Sequence, residues 1–233
     1  MKKVFLSIVA AIALGGTAMA GGDIIPVAPT ESWSGFYVGV QAGGIWGNAD
    51  VDYDDTGDPY WTHDMSVDGY SIGVYAGYNW LLENNWLVGI EGEWSHVSAD
   101  DTGNLMNAGG YIGWKTKVEQ NWDASLRLRV GKAVDESLFY VTGGVAWGDF
   151  DLNAYEAVNP SHHYSGSFRL TGWTLGAGWE YAFNENLHLR LQYRYTDYGD
   201  DTKRIAENSL GYYLDATLDY NAHMVTVGFS YRF

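Results

Sequence analysis

Cysteine is absent from the 233 residues, so the chain forms no disulfide and carries no cysteine-linked lipid anchor. Proline is scarce, at 4 residues, and the 13 Lys and Arg are far outnumbered by 29 Asp and Glu. The resulting net charge of −16 excludes long-range attraction to nucleic acid, so no nucleic-acid partner is expected. Also missing is any apolar run long enough to span a bilayer as a helix. The longest, Val4 to Leu14, lies between Lys2-Lys3 and Ala18-Met19-Ala20, the pattern of a cleaved secretory signal over residues 1–20. Export is expected, with residues 21–33 as a periplasmic linker and the folded unit over 34–233.

What is abundant points to pleated strands. There are 30 Gly, 18 Tyr and 11 Trp, a composition of β-sheet with close backbone approaches. From Phe36 the chain alternates, with Phe36, Val38, Val40 and Ala42 on one face and Tyr37, Gly39, Gln41 and Gly43 on the other. Seven further apolar faces begin near Tyr70, Trp86, Trp122, Phe139, Trp173, Leu187 and Val225. Turns after the second, fourth and sixth strands are short and polar, whereas the other connections are long and rich in Asp, Asn and Gly. The acidic stretches at Asp50, Asp52, Asp54, Asp55, Asp58 and Asp64, and at Asp197, Asp200, Asp201 and Glu207, read as solvated loops. Each apolar face covers roughly nine residues, which at a tilt near 40° crosses roughly 20–25 Å. Aromatics close both ends: Trp80, Trp86 and Phe139 at the turn end, and Trp94, Trp122, Trp147 and Trp173 at the loop end.

Alternation alone does not say which face points inward. The face opposite the apolar one carries Gly39, Gly43, Gly73, Gly77, Gly89, Gly144, Gly148, Gly176, Gly178 and Gly228 with few Lys, unlike a solvated exterior. Such a face suits the narrow inside of an eight-stranded antiparallel, up-and-down transmembrane β-barrel of the all-β class. On it also lie Glu91, Glu93, Asp123 and Glu180 against Arg127, Arg129, Arg190, Arg194 and Arg232. In a confined lumen these charges must pair. Two expectations stay open: a polar core that locks the barrel, and a gated, narrow porin-like path for ions or small solutes.

Three segments carry a resemblance: Trp33-Ser34-Gly35-Phe36-Tyr37-Val38-Gly39, Leu191-Gln192-Tyr193-Arg194-Tyr195-Thr196-Asp197-Tyr198, and Val227-Gly228-Phe229-Ser230-Tyr231-Arg232-Phe233. With them the chain resembles the small outer-membrane β-barrel family, which includes OmpA-like and OmpX-like barrels and the surface antigens and haemin-binding proteins of alphaproteobacteria. The resemblance implies an integral outer-membrane location and lipopolysaccharide and outer-membrane lipids as surroundings. It also implies an assembly signal, Phe229, Tyr231 and Phe233, read by the barrel-insertion machinery. No residues remain after the barrel for a peptidoglycan-binding domain, so cell-wall tethering is not expected.

His162 and His163, flanked by Tyr155 and Tyr164, are the candidate haem or metal ligands. A solvated polar loop is the commoner role for such a pair, and no cofactor or metal is expected. The acidic segment at Asp50 to Asp58 does not complete a calcium-loop spacing. Lipid A chemistry would need a Ser, a His and a carboxylate together. Ser95 and His96, or His223 on the last strand, are the residues at hand, but the adjacent Ser95 and His96 point to opposite faces of a strand and do not easily share a proton, so no enzyme is expected. The functional expectation is structural and interfacial, with acidic loops displayed outside the cell.

Overall fold

The computed structural model describes residues 33–233 apart from 56–57, 63–64, 108, 160 and 208–212. Nine strands follow in order: β1 (Gly35–Asp55), β2 (Asp58–Thr62), β3 (Met65–Leu81), β4 (Trp86–Asn107), β5 (Gly110–Val134), β6 (Ser137–Glu156), β7 (His163–Ala182), β8 (Leu187–Glu207) and β9 (Tyr213–Arg232). Every pairing is antiparallel between neighbours, and β1 also pairs with β9, which closes the sheet. The short β2 pairs with β1 and β4, the same two partners as β3. It is therefore the interrupted upper end of β3, and the ring has eight staves, the count expected from the sequence.

At one end the staves are joined by tight turns. Asn84, Asn85 and Asp135 adopt positive φ there, a conformation these short polar side chains tolerate better than other residues. Beyond the first of these turns Asn84 interrupts a short 3₁₀ turn, Glu83–Asn85, before β4 begins at Trp86.

The apolar face points out. Val40, Ile72, Val74, Leu128, Phe139, Val141 and Leu175 are exposed, while Gln41, Glu91, Arg127, Arg129, Thr174 and Arg190 are buried. On β1 the exterior stretch from Phe36 to Trp46 spans roughly 25 Å at the usual strand rise and tilt, the thickness of a hydrocarbon core.

The expected loops are strands. Asp50, Asp52, Asp54 and Asp55 lie within β1, Asp58 opens β2, and Asp197, Asp200, Asp201 and Glu207 lie within β8, so the staves run far past the belt; Asp64 lies outside the described residues. The same period continues there with its faces exchanged. On β1, Ala49, Val51 and Tyr53 are buried and Asp50, Asp52 and Asp54 exposed. On β9, Ala216, Leu218 and Tyr220 are buried while Asp219 is exposed. Outside the hydrocarbon the barrel is an ordinary water-soluble sheet: polar outside, apolar within. We call this extension the collar. Its interior is one hydrophobic cluster that includes Val51, Met65, Val67, Phe150, Leu152, Phe168, Leu218 and Tyr220.

The register shifts where belt meets collar, between His96 and Ala99, Gln120 and Trp122, and Asp197 and Asp200. In the last of these Gly199 takes φ +63°, and its N–H donates to Asp197 Oδ1 at 3.0 Å. Glycine is what that backbone conformation favours.

Candidate functional site: the interior of the barrel

The interior is built by long side chains on one stave facing glycine on the next. Arg129 lies in register with Gly89, Arg127 with Gly144, Arg194 with Gly176 and Arg190 with Gly228. At Gly89 the missing side chain leaves the space that the arginine stem crosses, since a Cβ there would lie 3.0 Å from the Arg129 Cγ. A Cβ on Gly144 would come within 2.7 Å of the Arg127 Cα and 2.1 Å of the Leu126 carbonyl oxygen. Arg232 is the exception, since its register partner is Tyr37.

The charges converge in tiers. Glu91 is the hub: Arg190 donates to both its oxygens, at 2.8 and 2.9 Å, Arg127 at 2.7 Å and Arg129 at 3.3 Å, and the Tyr37 hydroxyl donates at 2.7 Å. Arg129 also reaches Glu180 at 2.8 Å. One tier towards the collar, Arg127 and Arg194 share Glu93, and Arg194 donates to Asp123. Rings cover the guanidinium planes, with Arg129 4.0 Å from the Tyr140 ring centre and Arg190 4.2 Å from that of Tyr75. Removing two ions from water costs several kcal/mol each, which only multiple short charge-assisted bonds of this kind offset.

Above the ions the lumen turns apolar. Phe150 packs against Tyr220 and Tyr198, with centroids 4.6 and 5.4 Å away. Below them, at the turn end, Trp33 is fully buried. It is the last residue of the expected linker. Its ring stacks on His188 at 4.8 Å, and its carbonyl accepts from Arg232.

The sequence-derived candidates thus separate. The nine charged residues all face inward, and all are buried. His162 and His163 do not join them. His162 Nδ1 lies 3.0 Å from Glu156 Oε2, and His163 pairs across the strands with Tyr155 at the collar end. Among the described residues no group of three or more His, Cys, Asp or Glu is placed to hold a metal ion. Phe229, Tyr231 and Phe233 face outward at the turn end, with Phe233 against Tyr231 at 5.1 Å and Phe36 at 5.7 Å. Ser95 is buried and His96 exposed, on opposite faces of β4. His223 instead sits outside, its Nδ1 2.7 Å from the Tyr193 hydroxyl and its ring stacked near Trp46.

Sequence reasoning missed Tyr37, Tyr75 and Tyr140 as members of the network, and Trp33 as part of the interior. The signal for the tyrosines was their parity, since each lies on the face occupied by the glycines.

A profile of the outer membrane protein β-barrel domain family matches residues 7–233. The chain is 33% identical to the 31 kDa outer-membrane immunogenic protein of Brucella melitensis, over all of both chains. It is 31% identical to a 22 kDa outer membrane protein of Rhizobium leguminosarum, covering 74% of this chain and 68% of that one. Among solved structures it resembles the outer membrane protein OprG from Pseudomonas aeruginosa, with TM-score 0.56 and 14% identity over 87% of this chain and 98% of that one. A similar fold likeness, with TM-score 0.53 and 9% identity over 85% and 96%, is found with the Escherichia coli outer membrane protease OmpT.

Proposed function

The chain belongs to the outer-membrane β-barrel protein family, and on that premise we propose that it is a closed structural cylinder which carries a rigid acidic collar on the outer side of the membrane. Short turns of such barrels face the periplasm and their longer ends the exterior. The collar then stands among lipopolysaccharide headgroups and is the part that other cells and antibodies meet. Relatives named as immunogenic proteins support the surface-antigen part of this reading. The outward aromatics Phe229, Tyr231 and Phe233 are its assembly signal, engaged by the insertion machinery before the barrel closes.

The observation that carries the closed reading over the porin-like one is the filling of the lumen at two heights. Arg127, Arg129, Arg190 and Glu91 block the belt, and Phe150, Leu218 and Tyr220 block the collar, all of them fully buried or nearly so. Planar-bilayer recording tests it. The expected trace is flat at moderate voltage, and steady openings of uniform size in the purified protein overturn the closed cylinder in favour of a pore.

A further inference from the structure

Most glycines within the staves have a reason that lies in the chain itself. A Cβ on Gly43, Gly144 or Gly172 would run into a carbonyl oxygen of the neighbouring stave, and Gly110, Gly113 and Gly199 take positive φ. Gly92 has neither reason. Its φ is not positive, nothing of the described chain lies within 4 Å of a Cβ built there, and it sits on the outward face of β4 between the exposed Ile90 and Trp94. A glycine inside a strand weakens it, and marks a place where something else approaches the backbone closely.

Gly92 is one end of a groove on the lipid face. Leu187, Tyr231, Val38, Ala76 and Gly92 stand opposite one another in a single row across β8, β9, β1, β3 and β4. All five line one groove of about 810 Å³ whose surface is almost wholly apolar. From Tyr231 onward the side chains shrink to none, so the floor drops towards Gly92. The next row towards the collar, Phe229, Val40, Val74 and Trp94, is exposed and forms one wall. Tyr78 and Ile90, also exposed and in register, stand on the other side.

The groove spans one leaflet. Four strand spacings of about 4.8 Å make the row roughly 19 Å long, and a stave tilt of about 40° turns this into a climb of roughly 12 Å, about half of an apolar band about 25 Å tall. Its low end, Leu187, is the first residue of β8 at the turn end. Its high end, Gly92, lies well along β4 from Trp86, where that strand leaves the turn.

We infer that this groove seats one acyl chain of a phospholipid from the turn-end leaflet, with the headgroup beside Leu187 and Tyr231 and the chain end at Gly92. Hydrocarbon surrounds this face in the outer membrane, and a chain lying in the groove touches protein on its floor and both walls, gaining dispersion contacts that a flat belt does not offer. A second barrel fits less well. Ile90 and Trp94 stand roughly 13 Å apart by the strand rise, which admits one chain between their side chains but not another stave with its own. A phospholipid rather than lipopolysaccharide follows from the low end lying at the turn end, the periplasmic side in the orientation proposed for the collar, and the inference rests on that orientation.

The test is photolabelling of the refolded mature protein in phospholipid vesicles. These are doped with phosphatidylcholine carrying a diazirine either near the ester or at the end of one acyl chain, and adducts are located by peptide mass spectrometry. Chain-end label is expected around Ala76, Gly92 and Trp94 and near-ester label on Leu187 and Tyr231, both in excess of the label on Val141 and Leu175 elsewhere on the belt. Gly92→Leu with Ala76→Leu fills the groove from the lipid side. It is expected to lower chain-end label at Trp94 about fivefold, the weight of roughly five to ten carbon contacts, while Val141 keeps its label. Should that pair fail to fold, Gly92→Leu alone is expected to act in the same direction. Even labelling around the belt overturns the seat, as does unchanged label at Trp94 in the filled variants. Near-ester label at Trp94 in place of Tyr231 overturns the turn-end leaflet and with it the phospholipid source. Chain-to-chain cross-links that vanish on filling overturn the lipid in favour of a second copy. The labels are read against the ends of the barrel itself, so these results stand whichever way the collar faces in the cell.

Discussion

At the scale of single residues, Glu91 carries more of the interior than any other side chain. It has no exposure and accepts from three arginines and a tyrosine. Glu91→Gln keeps the shape but removes the charge, which leaves those arginines in a low-dielectric space with a poorer partner. Breaking a buried pair from one side costs about 3–5 kcal/mol, so a loss of that size is expected in urea titrations of the protein in lipid vesicles. A change under about 1 kcal/mol would mean that the lumen is wet enough to screen the ions. Asp219 makes the opposite case outside. It stands in register between Asp50 and Asp200, and partial burial together with the carboxylates of Asp197 and Asp200 raises its pKa. A carboxyl whose folded value is raised contributes stability below its ordinary range and loses that contribution as pH rises through the raised value. Asp219→Asn is therefore expected to stabilise the protein at pH 7 by about 0.5 kcal/mol, after allowance for its exposure, and to be neutral at about pH 3. Paired unfolding curves at the two pH values check the sign.

At the scale of the strand, the glycines separate into those that make room and those that do not. A Cβ on Gly43 would lie 1.9 Å from the Val225 carbonyl oxygen, whereas one on Gly92, on the lipid face, meets nothing within 4 Å. Gly43→Ala must push a neighbouring stave aside and is expected to cost about 1–3 kcal/mol. Gly92→Ala is expected to change stability by under about 0.5 kcal/mol, and folding yields of the two variants in parallel refolding trials distinguish them. This contrast also explains what the sequence made legible. Through the belt the two faces differ sharply in chemistry: Val38 and Val40 against Gly39 and Gln41. Period and orientation could both be read there, and so could the inward set of arginines and carboxylates. At Gly43-Gly44-Ile45-Trp46-Gly47 both faces become apolar or bare, and beyond it the faces have exchanged roles. Asp50, Asp52 and Asp54 then occupy the parity that had been greasy, and the stretch looked like a loop because the earlier phase no longer held. The alternation of Ala49, Val51 and Tyr53 was present throughout. The register shifts at the belt edge left no comparable mark, since an inserted residue alters pairing without altering composition.

At the scale of the whole molecule, the cylinder is two differently solvated barrels on one set of staves, each filled by what its surroundings do not supply. Lipid covers the belt's exterior, so its interior can be ionic; water covers the collar's exterior, so its interior must supply the hydrophobic burial. The two fillings stand in series along any path through the molecule, and a series arrangement makes a specific electrical prediction. Shortening the ion tier with Arg129→Ala and Arg190→Ala empties space around Glu91 but leaves Phe150, Tyr198 and Tyr220 packed above it. Opening the collar with Phe150→Ala and Tyr220→Ala costs about 3–5 kcal/mol for the phenylalanine alone, yet leaves the ion tier shut. Neither pair alone is expected to conduct in a planar bilayer, because the remaining filling still interrupts the water column. The four changes together, provided that the variant still shows the heat-modifiable gel shift of a folded barrel, are expected to give steady current with cation preference, since Arg127, Arg194 and Arg232 then face the four carboxylates Glu91, Glu93, Asp123 and Glu180 along the path. Current from the ion-tier pair alone would show that the collar is porous to water and that its packed rings are not a barrier.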